Sequence, residues 1–227
     1  MLYSCRSLVG SLAAGALLLT FNSATFGANF NLVGGTVTGL VESSATDPLP
    51  LYGTPIAVGN SLSFSTGPFA AAQAGVGSDI TSGQLSFFIQ ADPGLFIESI
   101  SLDEIGDFLM LGSTAEVTAG GTLVATILDP LIGGFVSDPI DFVPGMPLTG
   151  TGSGIWSGQA MVDLSNYQAT WVRIDLDNIL IAASDKASHA AFMDKKALTV
   201  NVAFAQIPEP AALALMAMGM LAVLKRH

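Results

Sequence analysis

Asp103, Glu104 and Asp107 place three carboxylates around Gly106, in a stretch that reads as a loop or strand end. Calcium takes roughly six to eight oxygen ligands from carboxylates and carbonyls, and three acids on a glycine-containing turn would supply part of that shell. The same residues also fit a solvated polar face. Trp156 and Trp171 offer flat apolar faces of the kind on which sugar rings stack. The other fate of an indole is packing, and Trp171, beside Val172, would then cover a sheet edge. Asp175 and Asp177 lie two apart, so on a strand they share one face, the solvent side. An EF-hand loop would need Asp or Asn at 179 and Gly at 180, where the chain has Ile179 and Leu180.

Signatures of catalysis are sparse. The chain contains no G-x-S-x-G, H-E-x-x-H or G-x-x-x-x-G-K-[ST]. Gly75-Val76-Gly77 runs on to Ile80 where a dinucleotide fingerprint needs glycine. His189 is the single histidine before the C-terminal His227, and no local signature joins it to a serine and an aspartate. Glycosidases use two carboxylates about 5–10 Å apart, and in so acidic a chain many pairs would qualify with nothing to single one out. The residues therefore read as a protein that is not an enzyme and carries no cofactor, bound calcium being the one candidate. Two alternatives stay open: a carbohydrate-binding module for exopolysaccharide, and a secreted hydrolase with an unrecognised site.

Charge narrows the partners. The formal net charge is -11, and of the 18 Asp and Glu only Glu209 lies outside residues 29–206. The cations of that span are Arg173, Lys186, Lys195 and Lys196. Such a surface repels nucleic acid and anionic lipid but tolerates divalent cations and neutral sugars. Cys5 is the single cysteine, which excludes an intrachain disulfide and a thiolate metal cluster.

The elements that must position these residues read as strands. Leu62 and Phe64 alternate with serines; so do Leu85, Phe87 and Ile89 with polar neighbours. The same period of two marks Ile100–Leu102, Leu123–Ile127, Val172–Leu176 and Leu198–Phe204. Between them lie Asp92-Pro93-Gly94, Gly120-Gly121, Gly133-Gly134, Pro144-Gly145 and Gly150–Gly154, which read as turns and loops. Many short strands with such punctuation predict an all-β fold, an antiparallel β-sandwich of jelly-roll-like order, over residues 29–206. No segment of this span shows a convincing helical stripe; the best helix candidate is Ser184–Lys196, rich in Ala, whose apolar positions equally suit a long loop with a short helical turn.

The two ends read as addresses. Arg6 is the only charge before Glu42, and Leu8–Phe21 is an apolar run of signal-peptide length. Small residues follow at Ser23, Ala24, Gly27 and Ala28, so residues 1–28 read as a signal peptide with the mature start near Ala28 or Asn29; an N-terminal membrane anchor is the alternative. Cys5 precedes the apolar run, where a lipidated cysteine would follow it. At the other end stand Pro208-Glu209-Pro210, the apolar stretch Ala211–Leu224 and then Lys225-Arg226-His227. Proline cannot donate a backbone hydrogen bond and keeps its predecessor extended, so the tripeptide stays straight and exposed. The apolar stretch would make about 21 Å of helix, short against a hydrocarbon core of about 30 Å. Lys225 and Arg226 can snorkel to extend it, and they favour a cytoplasmic end. An ordinary tail anchor is the plainer reading.

Residues 207–227 resemble the PEP-CTERM sorting tail of exported bacterial proteins. The tripeptide, the small-residue-rich helix (Ala212, Ala214, Ala217, Gly219, Ala222) and the basic end all match; two cations and His227 stand where the family usually ends in an arginine cluster. The resemblance implies recognition of Pro208, Glu209, Pro210, Lys225 and Arg226 by an exosortase, a membrane-embedded cysteine-dependent transpeptidase. It implies cleavage near the tripeptide, transient insertion of the helix in the inner membrane, and delivery to the cell surface or an exopolysaccharide matrix. Three further stretches are similar to such proteins: Phe96–Leu111, Ile155-Trp156-Ser157-Gly158 running on to Asp163-Leu164-Ser165, and Leu176-Asp177-Asn178 running on to Ala191–Lys196. Domains of that kind look like β-sandwiches without an assigned activity. The expectation is a structural protein of the cell envelope or extracellular matrix whose partners are the exosortase and export machinery and, at the surface, exopolysaccharide.

Overall fold

The computed structural model describes residues 22–207, which form fifteen strands and no helix. In chain order they are β1 (Asn22–Phe26), β2 (Phe30–Asn31), β3 (Gly35–Ser44), β4 (Ile56–Val58), β5 (Ser61–Ser65), β6 (Ala70–Ala74), β7 (Gly77–Ala91) and β8 (Leu95–Leu111). There follow β9 (Glu116–Ile127), β10 (Phe135–Pro139), β11 (Asp141–Val143), β12 (Leu148–Thr149), β13 (Gly152–Asp163), β14 (Trp171–Ser184) and β15 (Ala190–Gln206). The run Leu8–Phe21, expected to belong to a signal peptide, and residues 208–227 of the expected sorting tail lie outside the described residues. β1 is paired to β3, from Asn22↔Ser44 to Phe26↔Leu40, and so stands on the N-terminal side of the boundary expected at residue 28.

Two antiparallel sheets make a sandwich. One has the order β1-β3-β7-β14-β9-β10, with β2 beside β3 and β12 beside β9; the other has β11-β13-β8-β15-β5-β4, with β6 beside β15. From β7 on the long strands alternate between layers, β7, β9 and β14 in the first and β8, β13 and β15 in the second. Neighbouring long strands such as β7 and β14, or β8 and β15, are therefore far apart in sequence. β14 and β15 are central. β14 is bonded to β7 and β9 along nearly its whole length, and β15 to β8 from Ala190↔Leu111 to Gln206↔Leu95.

The alternation seen in the sequence fills the space between the layers. Leu85, Phe87 and Ile89 of β7 and Ile174, Leu176 and Leu180 of β14 are buried from one side. Ile100 and Leu102 of β8 and Leu198, Val200 and Val202 of β15 are buried from the other. Each such side chain contributes about 1.5–3 kcal/mol on leaving water, which is how a chain without a disulfide holds this fold. Backbone and core also meet closely at Gly106 of β8. A Cβ there would overlap the Asp194 carbonyl oxygen and stand 2.6 Å from the Trp156 ring, so any side chain would displace both.

Two local expectations are corrected. Gly120-Gly121 is not a turn but lies inside β9, where a Cβ at Gly121 would come within 2.5 Å of Ile140 Cδ1 and 2.7 Å of Asn178 Nδ2. Ala190–Lys196 is strand rather than helix or loop, because β8 on one side and β6 on the other bond it into the sheet. Pairing across the sheet outweighs the local preference of alanine.

Candidate functional site

The three acids expected to share a cation do not converge. They lie in the middle of β8, not in a loop, and the period of two sends Glu104 into the core while Asp103 and Asp107 face solvent. Asp103 accepts hydrogen bonds from Gln159 Nε2 at 2.8 Å and Asn201 Nδ2 at 3.1 Å. Asp107 is 3.6 Å from Lys196 Nζ, which also meets Asp194 at 2.5 Å. That contact with Asp194 holds the Lys196 ammonium above its usual range. Among the described residues no group of three or more His, Cys, Asp or Glu side chains could hold a metal.

The two tryptophans part company. Trp156 has no exposed surface, its Nε1 donates to the Asp194 carbonyl at 3.0 Å, and its ring lies 5.9 Å from that of Phe142. Neither of its faces is open to a sugar, which corrects the expectation for Trp156. Trp171 is 44% exposed at the start of β14, with its ring 6.4 Å from Phe88. Further along the same face Asp177 is exposed and Asp175 is bonded to Arg173 at 2.7 Å.

The residues that sequence reasoning passed over form a polar cluster between the sheets. Lys195 of β15 is fully buried, and its Nζ lies 2.5 Å from Glu104 Oε2 of β8 and 2.6 Å from Asn178 Oδ1 of β14. A register shift between Lys195 and Ala197 lets both Lys195 and Leu198 face the core, three positions apart. Asn178 occupies an inward position between Leu176 and Leu180, and the residues opposite it on both neighbouring strands are glycines, Gly83 and Gly121. A Cβ at Gly83 would meet Tyr52 at 3.1 Å, so the missing side chain admits the tyrosine. The Tyr52 hydroxyl lies 3.0 Å from the Gly83 carbonyl and 3.1 Å from Asn178 Oδ1, both acceptors for its proton. The segment after β3 that carries Tyr52 is held by Glu42, whose Oε1 accepts the N–H groups of Leu51 and Tyr52.

The surroundings are aromatic and buried. Lys195 Nζ lies 4.7 Å from the Phe69 ring centroid and 5.7 Å from that of Tyr52. Burial pushes the Lys195 ammonium below its usual range, against the opposing pull of Glu104. Burial likewise pushes the Tyr52 hydroxyl well up, reinforced by Glu104. Glu42 is pushed up by burial despite its two backbone donors, and its Oε2 has no protein partner. Asn178 Nδ2 has none either. The sequence held no signal for this cluster: counted back from Leu198, Val200 and Val202, Lys195 falls on the outward phase, and only the register shift turns it inward, where a lysine demands a partner. Its partners could not be read, because they lie on strands distant in sequence.

On the outer face of the first sheet, backing Asn178, is a cleft of about 240 Å³. Ser43, Ser82, Gln84, Gly120, Asp177 and Ile179 line it, and the backbone of Gly83 and Gly121 contributes to its floor.

No protein-family model matches the chain, and no curated protein matches it. Among solved structures the chain is similar to TmCBM61 in complex with beta-1,4-galactotriose, at 9% identity and a TM-score of 0.23, over 65% of this chain and 70% of that one. It is similar to a chain of infectious bursal disease virus Gx strain at 13% identity and a TM-score of 0.30, over 88% of this chain but 55% of the viral one. Winged bean acidic lectin complexed with methyl-alpha-D-galactose is similar at 9% identity and a TM-score of 0.23, over 81% and 100% of the two chains. At these scores the likenesses carry no functional argument, and the sandwich assignment rests on the two sheets themselves.

Proposed function

We propose that this chain is a non-enzymatic structural module of the cell envelope or extracellular matrix, exported and then sorted by its C-terminal tail. The observation that carries the reading is where the tail leaves the fold. Pro208 follows one residue after β15, and the Ile207 N–H donates to the Gly94 carbonyl at 2.9 Å. β15 is bonded by β8 on one side and by β5 and β6 on the other. A pull on the tail therefore loads a central strand in shear across two rows of hydrogen bonds, which suits a module held at a surface by that end. The tail supplies the address: Pro208, Glu209 and Pro210 for exosortase recognition, the apolar helix for transient insertion in the inner membrane, and Lys225 and Arg226 for orientation. Changing Pro208, Glu209 and Pro210 together to Ala should leave unprocessed precursor in the inner-membrane fraction. Normal processing of that variant would reduce the tail to a plain anchor and remove the reading.

A second reading, binding of exopolysaccharide, is favoured by Trp171 alone. Its exposed indole, with Gln84 and Asp177 in the cleft on the same sheet, suits a neutral sugar better than an anion. Titration with exopolysaccharide should then change tryptophan fluorescence in the unsubstituted protein and not in Trp171→Ala. An unchanged spectrum in both would leave the structural role alone.

A further inference from the structure

The arrangement of Lys195, Asn178 and Glu104 is that of two reactants and a proton carrier. An amine lies 2.6 Å from the oxygen of a carboxamide, in a fully buried setting, with a carboxylate oxygen 2.5 Å from the same amine. The carboxamide oxygen also faces the Tyr52 hydroxyl at 3.1 Å, a donor placed where negative charge would develop if the carbonyl were attacked. The carboxamide nitrogen has no protein partner to hold it. Glu104 and Lys195 lie on one sheet and Asn178 on the other, so the three are brought together only by the closed sandwich. Holding reactants in one orientation converts a slow bimolecular amide exchange into an intramolecular one.

The geometry points to a self-catalysed amide bond between Lys195 Nζ and Asn178 Cγ, with Glu104 as the proton carrier. The ammonium first gives one proton to Glu104 Oε2. The neutral amine attacks Cγ, forming the Nζ–Cγ bond while the carbonyl electron pair moves onto Oδ1, opposite Tyr52. Glu104 then passes its proton to Nδ2 and takes the second proton from Nζ. As the carbonyl reforms, the Cγ–Nδ2 bond breaks and its electron pair leaves with nitrogen as ammonia. The products are a secondary amide, ammonia and a protonated Glu104. Charge balances, since one cation and one anion have become three neutral groups, and nothing is oxidised or reduced. Burial supports the first step, because it disfavours the ammonium form of Lys195. The bond would tie β14 to β15 across the layers of a chain whose single cysteine, Cys5, can make no internal disulfide.

Mass spectrometry of the full chain after trypsin decides the matter. Cleavage after Arg173, Lys186 and Lys196, with Lys195 blocked, should release residues 174–186 joined to residues 187–196. Their combined mass should be short by one ammonia, about 17 Da. Glu104→Gln should fold to the same β-sheet circular dichroism yet release the two peptides separately, with cleavage restored after Lys195. The unsubstituted chain answers the main question by itself, so a variant that fails to fold does not obscure it. Separate peptides of unmodified mass from the unsubstituted chain would overturn the proposal. So would a loss of about 18 Da with Lys195 joined to the Glu104 peptide, the mark of water loss rather than ammonia loss. A folded Glu104→Gln that still forms the full yield of joined peptide would overturn the role given to Glu104.

Discussion

Removing Lys195 should cost more than removing Lys195 and Glu104 together. Lys195→Met replaces the amine with a side chain of similar length and leaves Glu104 without its partner at 2.5 Å, in a setting where the two side chains are 0% and 1% exposed. Breaking a buried pair by deleting one partner costs about 3–5 kcal/mol, because the surviving charge stays desolvated. Replacing both partners by apolar residues of similar volume removes that charge, and is often neutral or stabilising. Lys195→Met with Glu104→Met should therefore exceed Lys195→Met alone by about 3–5 kcal/mol. For a domain of this size that is about 2–4 °C per kcal/mol, or roughly 6–20 °C in melting temperature. Neither variant has the amine, so any covalent bond made by Lys195 is absent from both and drops out of the comparison. Melting followed by circular dichroism at pH 7 and fixed ionic strength measures the gap. Equal melting temperatures would refute the reasoning, since they would mean that water reaches Glu104 once the lysine is gone.

Two other outcomes follow from the same map of burial. Trp156→Ala should lose about 3–5 kcal/mol by opening a cavity against Gly106, whereas Trp171→Ala should stay within about 0.5 kcal/mol, being half exposed; equal losses in chemical denaturation would refute the placement of the two indoles. Glu42 is pushed up by burial, so the folded state releases its proton at a higher pH than the unfolded state does. Its contribution is complete below the unfolded value of about 4.3 and is lost as pH rises through the raised folded value. Glu42→Gln keeps an oxygen for the Leu51 and Tyr52 N–H groups without the charge. It should raise the melting temperature at pH 7 relative to the unsubstituted protein and narrow the difference at pH 4; a lower melting temperature at pH 7 would show that the carboxylate is needed as an anion.

The sandwich itself was legible because its cause is local. A strand with one buried face must alternate apolar and polar residues, and Leu62–Phe64, Leu85–Ile89, Val172–Leu176 and Leu198–Val202 all do so in the sequence and in the fold. Asp175 and Asp177 were likewise placeable on the outer face from their spacing alone. Spacing could not say which face of β8 Glu104 would take relative to Asp103 and Asp107 while they were read as a loop, and that one assignment turned a suspected cation site into half of a buried ion pair. Nor could it separate Trp156 from Trp171: one meets Gly106 on a neighbouring strand and is swallowed, the other meets solvent. The buried cluster was beyond reach for a stronger reason. Glu104, Asn178 and Lys195 become neighbours only because the long strands alternate between layers and because Gly83 and Gly121 clear the space beside Asn178. Periodicity along one strand records which side is buried; what lies opposite on the other sheet is set by strand order and register, and these arise only when the two layers close.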